Sequence, residues 1–221
     1  MKPDTRQDES LKKYLLGELT YQETYEEVYD HVLSALQNVP VSVPFEVAVN
    51  TIIKDDFGGP GNLIKVEEAC KKAIIKDVRR QQLNYFVSFF KFPNLLYLIG
   101  FSVLVYLILA ITPLTRFTVT LLFLALAFIP NLVLPLKYFS THYIWGNTKR
   151  SVLNNTMGNL GLFLFRIFWA GISLLIIAKN GFNFQNNFDP FYVTIGVVLF
   201  VVYTLAFYRL SKNKFNTNPT K

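Results

Sequence analysis

The stretch NLLYLIGFSVLVYLILAITPLT, Asn94–Thr115, contains no charged side chain, and its reading decides the fold. It is followed after Arg116 by FTVTLLFLALAFIPNLVLPL, Phe117–Leu136, and later by PFYVTIGVVLFVVYTLAFY, Pro190–Tyr208, both equally free of charge. A fourth run, Leu160–Ala178, is interrupted only by Arg166. Each approaches the ~20 apolar residues that carry a helix across a ~30 Å hydrocarbon core. Four spans are therefore expected, at 94–115, 117–136, 160–178 and 190–208.

Upstream the composition reverses. Residues 1–91 hold 14 of the 15 acids, and the only later one is Asp189. With 12 Lys/Arg the first part has a net charge of −2, whereas residues 92–221 carry 10 Lys/Arg against one acid, a net of +9. That excess lies in short loops and the tail, which reads as membrane topology and not as a nucleic-acid footprint. Placing both termini in the cytoplasm puts 13 flanking cations inside and two, Arg116 and Lys179, outside. Asn154-Asn155-Thr156 has the form of a glycosylation acceptor, and this orientation keeps it inside and inert. Cys70 is the only cysteine, which excludes an internal disulfide and suits a reducing compartment. The first ninety residues have no apolar run of signal-peptide length, so none is expected there.

The expected architecture is all-α. A small cytosolic helical domain (1–80) leads through an interfacial aromatic linker helix (81–93) to a four-helix transmembrane bundle (94–210) and a polar basic tail (211–221). In the first domain, Leu11, Tyr14 and Leu15 mark a short helix ending near Gly17. Thr20-Tyr21-Gln22-Glu23 has the pattern of a capping box opening a second helix, whose buried stripe is Tyr21, Tyr25, Val28, Val32 and Ala35. Pro44 suits the first turn of a third helix, with Phe45, Ala48, Val49 and Ile52 on one face. Gly58-Gly59-Pro60-Gly61 terminates it. A fourth helix starts near Asn62, buries Val66, Cys70, Ala73 and Ile74, and runs on towards Lys91. Leu83, Phe86, Phe89 and Phe90, flanked by Arg79, Arg80 and Lys91, suit a headgroup boundary; the alternative is an ordinary buried stripe.

Three segments carry a family likeness. Tyr25-Glu26-Glu27-Val28-Tyr29-Asp30-His31-Val32, then Phe45-Glu46-Val47-Ala48-Val49, then Asp56-Phe57-Gly58-Gly59-Pro60-Gly61-Asn62-Leu63 together resemble the HAAS-type helical domain that precedes membrane spans in many bacterial proteins. The likeness covers roughly residues 10–75. The usual glycine between the first two segments is absent, and Asn38–Val43 stands there. The resemblance implies a signalling or regulatory role beside a PadR-type transcription regulator or a permease, and it supplies no catalytic residues.

Asp56-Phe57-Gly58 spells the magnesium triplet of protein kinases, but no glycine-rich phosphate loop, Val-Ala-Ile-Lys strand or His-Arg-Asp loop accompanies it. Asp55 and Asp56 point about 100° apart on a helix and sit at its C-terminus, where negative charge is unfavourable. They call for a counter-ion from Lys54, Lys65 or another protein, or form a plain solvated end. With Gly58 and Gly59 they are the candidate protein-interaction residues. A glycine nest lacking a Gly-Lys-Ser/Thr ending and following a helix does not describe a nucleotide site. His31, on a polar helix face, His142, in the loop after the second span, and Cys70 are too far apart in sequence to suggest a metal or nucleophile site. No metal, cofactor or enzymatic activity is expected.

Arg166 is the single charge inside a span, and such a residue usually faces protein or water. Ala170 and Ser173 share its face and permit close packing. It lies about 9 Å from the inner end of its span, level with Pro130 and Asn131 in the second. Pro130 frees the carbonyl near Leu126. Arg166 is therefore expected to dock on that kinked, polar level, the alternative being extension to the inner headgroups. The leading functional expectation is an inner-membrane regulatory or signalling protein. Its partners would be the lipid bilayer and a cytosolic or membrane protein such as a PadR-type regulator or permease, without direct nucleic-acid binding; self-association is left open. The alternative is an accessory subunit or small transporter of the permease type, since Pro130 and Pro135 break the second span.

Overall fold

The computed structural model describes residues 1–140, 150–179 and 188–216, and for 133–140, 174–179 and 215–216 the backbone alone. His142, Lys149 and Lys221 lie outside the described residues. Among those described the chain is all-helical: α1 (Thr5–Glu18), α2 (Gln22–Leu36), α3 (Phe45–Phe57), α4 (Pro60–Ser88), α5 (Asn94–Ala110), α6 (Arg116–Ser140), α7 (Val152–Gly161), α8 (Phe163–Lys179) and α9 (Pro190–Asn216). It divides into two compact units, Met1–Asp77 with Asn147–Asn155, and Val78–Gly146 with Thr156–Lys221.

The core of the first unit is Leu11, Leu15, Leu19, Val28, Val32, Leu36, Ala48, Val49, Ile52, Ile53 and Leu63. α1 begins two turns before Leu11 because Asp4 and Gln7 form a reciprocal capping box: Gln7 N donates to Asp4 Oδ1 at 2.7 Å and Asp4 N to Gln7 Oε1 at 3.0 Å. Pro44 stands one place outside α3, as its N-cap. At the other end Gly58 (φ +76°) and Gly59 (φ +92°) take left-handed conformations, and Gly59 N returns to Ile53 O at 3.0 Å. A Cβ on Gly58 would lie 2.9 Å from Asn62 Nδ2, which itself donates to Phe57 O at 2.8 Å. α4 opens at Pro60, two residues before the expected Asn62, since a proline in the first helical position forfeits no intrahelical bond.

α1 and α2 are clasped by Asp8. Its carboxylate accepts from Lys12 Nζ at 2.7 Å and from the Tyr29 hydroxyl, while Tyr29 stacks on Tyr25 with centroids 5.9 Å apart. The hydrogen bond from Lys12, then that from Tyr29, holds the Asp8 carboxyl below its ordinary value of 3.8. A lowered folded pKa means the contribution is complete above the unfolded value and is lost as pH falls through the folded one. Asp8→Asn is expected to be less stable than the parent at neutral pH and equally stable once Asp8 is protonated. Denaturant titrations at a series of pH values test this, and a constant difference down through that range would refute it.

α4 is a single 29-residue helix that passes from the first unit into the second. Its buried positions are Leu63, Glu67, Val78 and Gln82. The expected stripe is therefore corrected: Ala73 is exposed, while Val66, Cys70 and Ile74 are half-buried. Further along, Leu83, Val87 and Phe90 are exposed, Phe86 and Phe89 are half-buried, and the Phe86 and Phe90 rings lie 5.4 Å apart.

In the second unit α9 packs on α5 and α6, and α6 on α8. Leu109, Leu114, Val119, Val193 and Val197 form one buried cluster, and Met157, Val202, Ala206, Phe207 and Leu210 are buried as well. Gly196 lets α9 approach α6 closely, since an added Cβ would stand 2.6 Å from Phe123 Cζ, and the Phe123 ring meets Phe200 at 5.1 Å. Among the described residues only Pro190–Lys214 is long and apolar enough to cross a membrane; Asn94–Ala110 and Arg116–Leu132 are shorter apolar helices. Charge-free runs overcount helix. Thr112 folds its hydroxyl back to Ile108 O and Pro113 follows, so α5 stops at Ala110 and not at Thr115. The run Leu160–Ala178 is divided at Leu162, between α7 and α8. α9 instead outruns its apolar stretch and keeps 211–216, expected as tail, helical.

Candidate functional site

The chemistry of the first unit gathers where α2 begins. The expected capping box of Thr20 and Glu23 does not form: Tyr21 is the N-cap of α2 and has no side-chain cap. Glu67 takes the free amides instead, its Oε1 accepting from Thr20 N and Tyr21 N at 2.7 Å each. Glu67 is only 7% exposed, a carboxylate in the buried line of α4 that is satisfied by backbone donors. One turn on, Lys71 Nζ donates to the Tyr21 hydroxyl at 2.8 Å and lies 4.8 Å from its ring centroid. That bond raises the Lys71 pKa and fixes its charge.

Glu23, released from its own helix, caps another. Oε1 accepts from Ser151 Oγ at 2.5 Å and Leu153 N at 2.9 Å, and Oε2 from Val152 N at 3.0 Å. Ser151 Oγ in turn accepts from Asn154 N at 3.1 Å. The first three amides of α7, which every helix start leaves without partners, are thus all satisfied. Gln22 N donates to Arg150 O at 3.3 Å, completing a parallel bridge between Tyr21 and Arg150. The segment 150–155, expected in the loop between the second and third spans, is part of the first unit.

The sequence-derived interaction residues are placed as follows. Asp56 Oδ2 meets His31 Nε2 of α2 at 2.8 Å, and the His31 ring sits edge-on to Phe57 at 5.1 Å. Its partner is neither Lys54 nor Lys65, because the α2–α3 packing brings His31 alongside. Asp55 is exposed, Gly58 is exposed and Gly59 is buried. Burial, then the Glu27 carboxylate 3.4 Å away, pushes the Cys70 thiol up, which keeps it protonated and a poor nucleophile. No three His, Cys, Asp or Glu side chains converge among the described residues.

The hydrogen bond of Arg166 is to Asn159 and not to Asn131. The side chain is exposed and donates from Nη2 to Asn159 Oδ1 at 3.0 Å, seven residues back near the end of α7. Helical side chains lean towards the N-terminus, so that direction was open to it. Asn131 Nδ2 donates to Ala127 O of its own helix at 3.1 Å. The α6–α8 contact runs instead through Phe128 and Phe165, whose rings meet at 5.4 Å, and Ala170 and Ser173 are exposed.

Elsewhere in the second unit, the Tyr203 hydroxyl donates to Leu160 O at 2.7 Å and its ring packs on Phe163. The end of α4 meets the end of α9: Asn213 Nδ2 donates to the Tyr85 hydroxyl, and the Arg209 guanidinium lies 4.5 Å over the Phe89 ring. Between α6, α8 and α9 lies a cavity of about 280 Å³, lined by Phe123, Phe168, Ile172, Phe188 and Tyr192 among others. Sequence reasoning gave Glu23 a cap but on the wrong helix, and missed the roles of Glu67, Ser151 and Arg209. Of these three only Glu67 carried a signal, as an acid four residues after Leu63 on one helical face. The chain matches no protein-family model, no curated protein and no solved structure.

Proposed function

We propose that this chain is an integral membrane protein of a bacterial inner membrane, with both termini cytoplasmic and its helical first unit acting as a regulatory or signalling interaction module. The second unit is its four-span membrane part, α5, α6, α8 and α9. The apolar reach of α9 supports the membrane assignment, and the +9 charge of residues 92–221, gathered in loops and tail, supports the orientation.

The observation that carries the regulatory reading is the double attachment of the first unit. It joins the second through continuous α4, which leads to α5, and through the Glu23-capped start of α7, which leads to α8. A partner that binds the first unit therefore engages chain that continues directly into α5 and into α8. A HAAS-like role beside a PadR-type regulator or a permease fits that arrangement. The alternative, an accessory subunit or small transporter, draws on the apolar cavity of the second unit.

Site-specific photocrosslinking in native membranes tests the reading, with the probe at exposed Asp55 or at exposed Tyr192. The expected result is a regulator or permease crosslinked from position 55. Crosslinks from 192 alone would favour the accessory subunit, and recovery of the chain in the soluble fraction without detergent would overturn the membrane assignment itself.

A further inference from the structure

We infer that the junction of α4 and α9 is a binding site for the phosphate headgroup of an anionic phospholipid. This rests on the membrane reading above. Arg209, Lys212 and Asn213 follow one another at helical spacing on one side of α9, and that side meets Tyr85 and Phe89. Lys91 follows in the turn after α4.

Three observations point to the ligand. The first is unanswered charge. Among the described residues no carboxylate pairs with Arg209, Lys212 or Lys91. The one acid after residue 91, Asp189, precedes Arg209 by twenty positions, about 30 Å along α9. The second is preorganisation. The Arg209 guanidinium lies 4.5 Å over the Phe89 ring, which anchors it at the junction by cation–π attraction, and an anchored fork of N–H donors suits a bidentate acceptor such as a phosphate. The Tyr85–Asn213 hydrogen bond holds the two helix ends beside it. The third is depth. Arg209 comes directly after the charge-free run Pro190–Tyr208, and exposed Tyr192 and Tyr208 mark its two ends, as aromatic residues do at headgroup level. Arg209 and Lys212, with Lys91 two residues beyond Phe89 in the chain, favour a headgroup of net negative charge over a zwitterionic one, whose own ammonium they repel.

The test is native mass spectrometry of the full chain extracted from nanodiscs of phosphatidylcholine with phosphatidylglycerol, counting retained phosphatidylglycerol. Each cation removed is expected to weaken retention roughly fivefold, and Arg209→Gln with Lys212→Gln roughly 25-fold. Phe89→Leu, which keeps every charge, should also lower it. The matched control Lys65→Gln, an exposed cation of the first unit, should leave it unchanged. Equal retention by the parent and the double variant would overturn the inference while leaving the membrane assignment standing, as would an equal loss in Lys65→Gln. Displacement of the lipid by inorganic phosphate would also overturn it, since it would make the site one for the free anion. Arg209→Lys, which preserves the charge but not the fork, serves if the glutamine variant does not fold, and parental retention in it would count against the stacked geometry.

Discussion

Replacing Glu67 with alanine is expected to destabilise the first unit by about 3 kcal/mol, from the loss of two charge-assisted hydrogen bonds. Thr20 N and Tyr21 N lose their shared acceptor, and the turn between α1 and α2 offers no other, since Tyr21 supplies no cap. Leucine is the sharper substitution. Position 67 is buried beside Leu63, so on burial alone Glu67→Leu ought to stabilise. It is expected to be nearly as damaging as alanine, because the penalty lies in the orphaned amides and not in the side chain removed. Glu67→Gln keeps an acceptor oxygen and is expected to cost only about 1 kcal/mol. Thermal unfolding of the purified chain, read alongside hydrogen exchange at Thr20 and Tyr21, measures the series. Parent-like stability of Glu67→Leu would show that the carboxylate is dispensable.

Loss of the Glu23 carboxylate should act at a distance in sequence. In Glu23→Ala the amides of Val152 and Leu153 are expected to exchange about 100-fold faster, the equivalent of roughly 2.7 kcal/mol of capping and charge-assisted bonding. The α2 core at Val28 and Val32 should keep its protection, because Glu23 stands in the first turn of α2 and outside its buried stripe. Glu23→Asp separates charge from reach: it keeps the anion but shortens the side chain by one methylene, and three acceptor distances of 2.5–3.0 Å leave no slack. It is expected to fall close to alanine, while Glu23→Gln, which retains one acceptor oxygen, falls between. Unchanged exchange at 152 and 153 in the alanine variant would remove the cap as the link between these segments.

These two carboxylates mark the limit of what the chain discloses as a string. Val28 and Val32, Ala48 with Val49 and Ile52, and the stop at Gly58-Gly59 follow from periodicity and from the φ that only glycine adopts easily. Such rules see neighbours within a turn or two. Thr20 and Glu23 satisfied the local pattern of a box, and two competitors from 46 or more residues away won because folding brings Glu67 and Ser151 to the same turn. Arg166 goes the other way: a partner on the second span was expected, and Asn159, seven residues back on α7, takes its guanidinium. The apolar runs were plain in the sequence, but the helices inside them were not, since Pro113 and the turn at Leu162 spend part of each run on backbone that is not helix. Arg209 was visible as a cation, and its ring partner Phe89 as one of a row of aromatics, with nothing local to pair them.

The 128-residue interval between Glu23 and Ser151 also fixes an order of manufacture. A ribosome delivers α1 to α4 first, and these form most of the first unit's core while residue 151 is still unmade. Closing the contact requires α5 and α6 to have emerged and been placed, so the carboxylate of Glu23 remains an open docking point through that whole interval. The first unit is then completed only after α5 and α6 have been synthesised, and a chain truncated within them exposes an unclosed clasp to whatever surveys nascent proteins for quality.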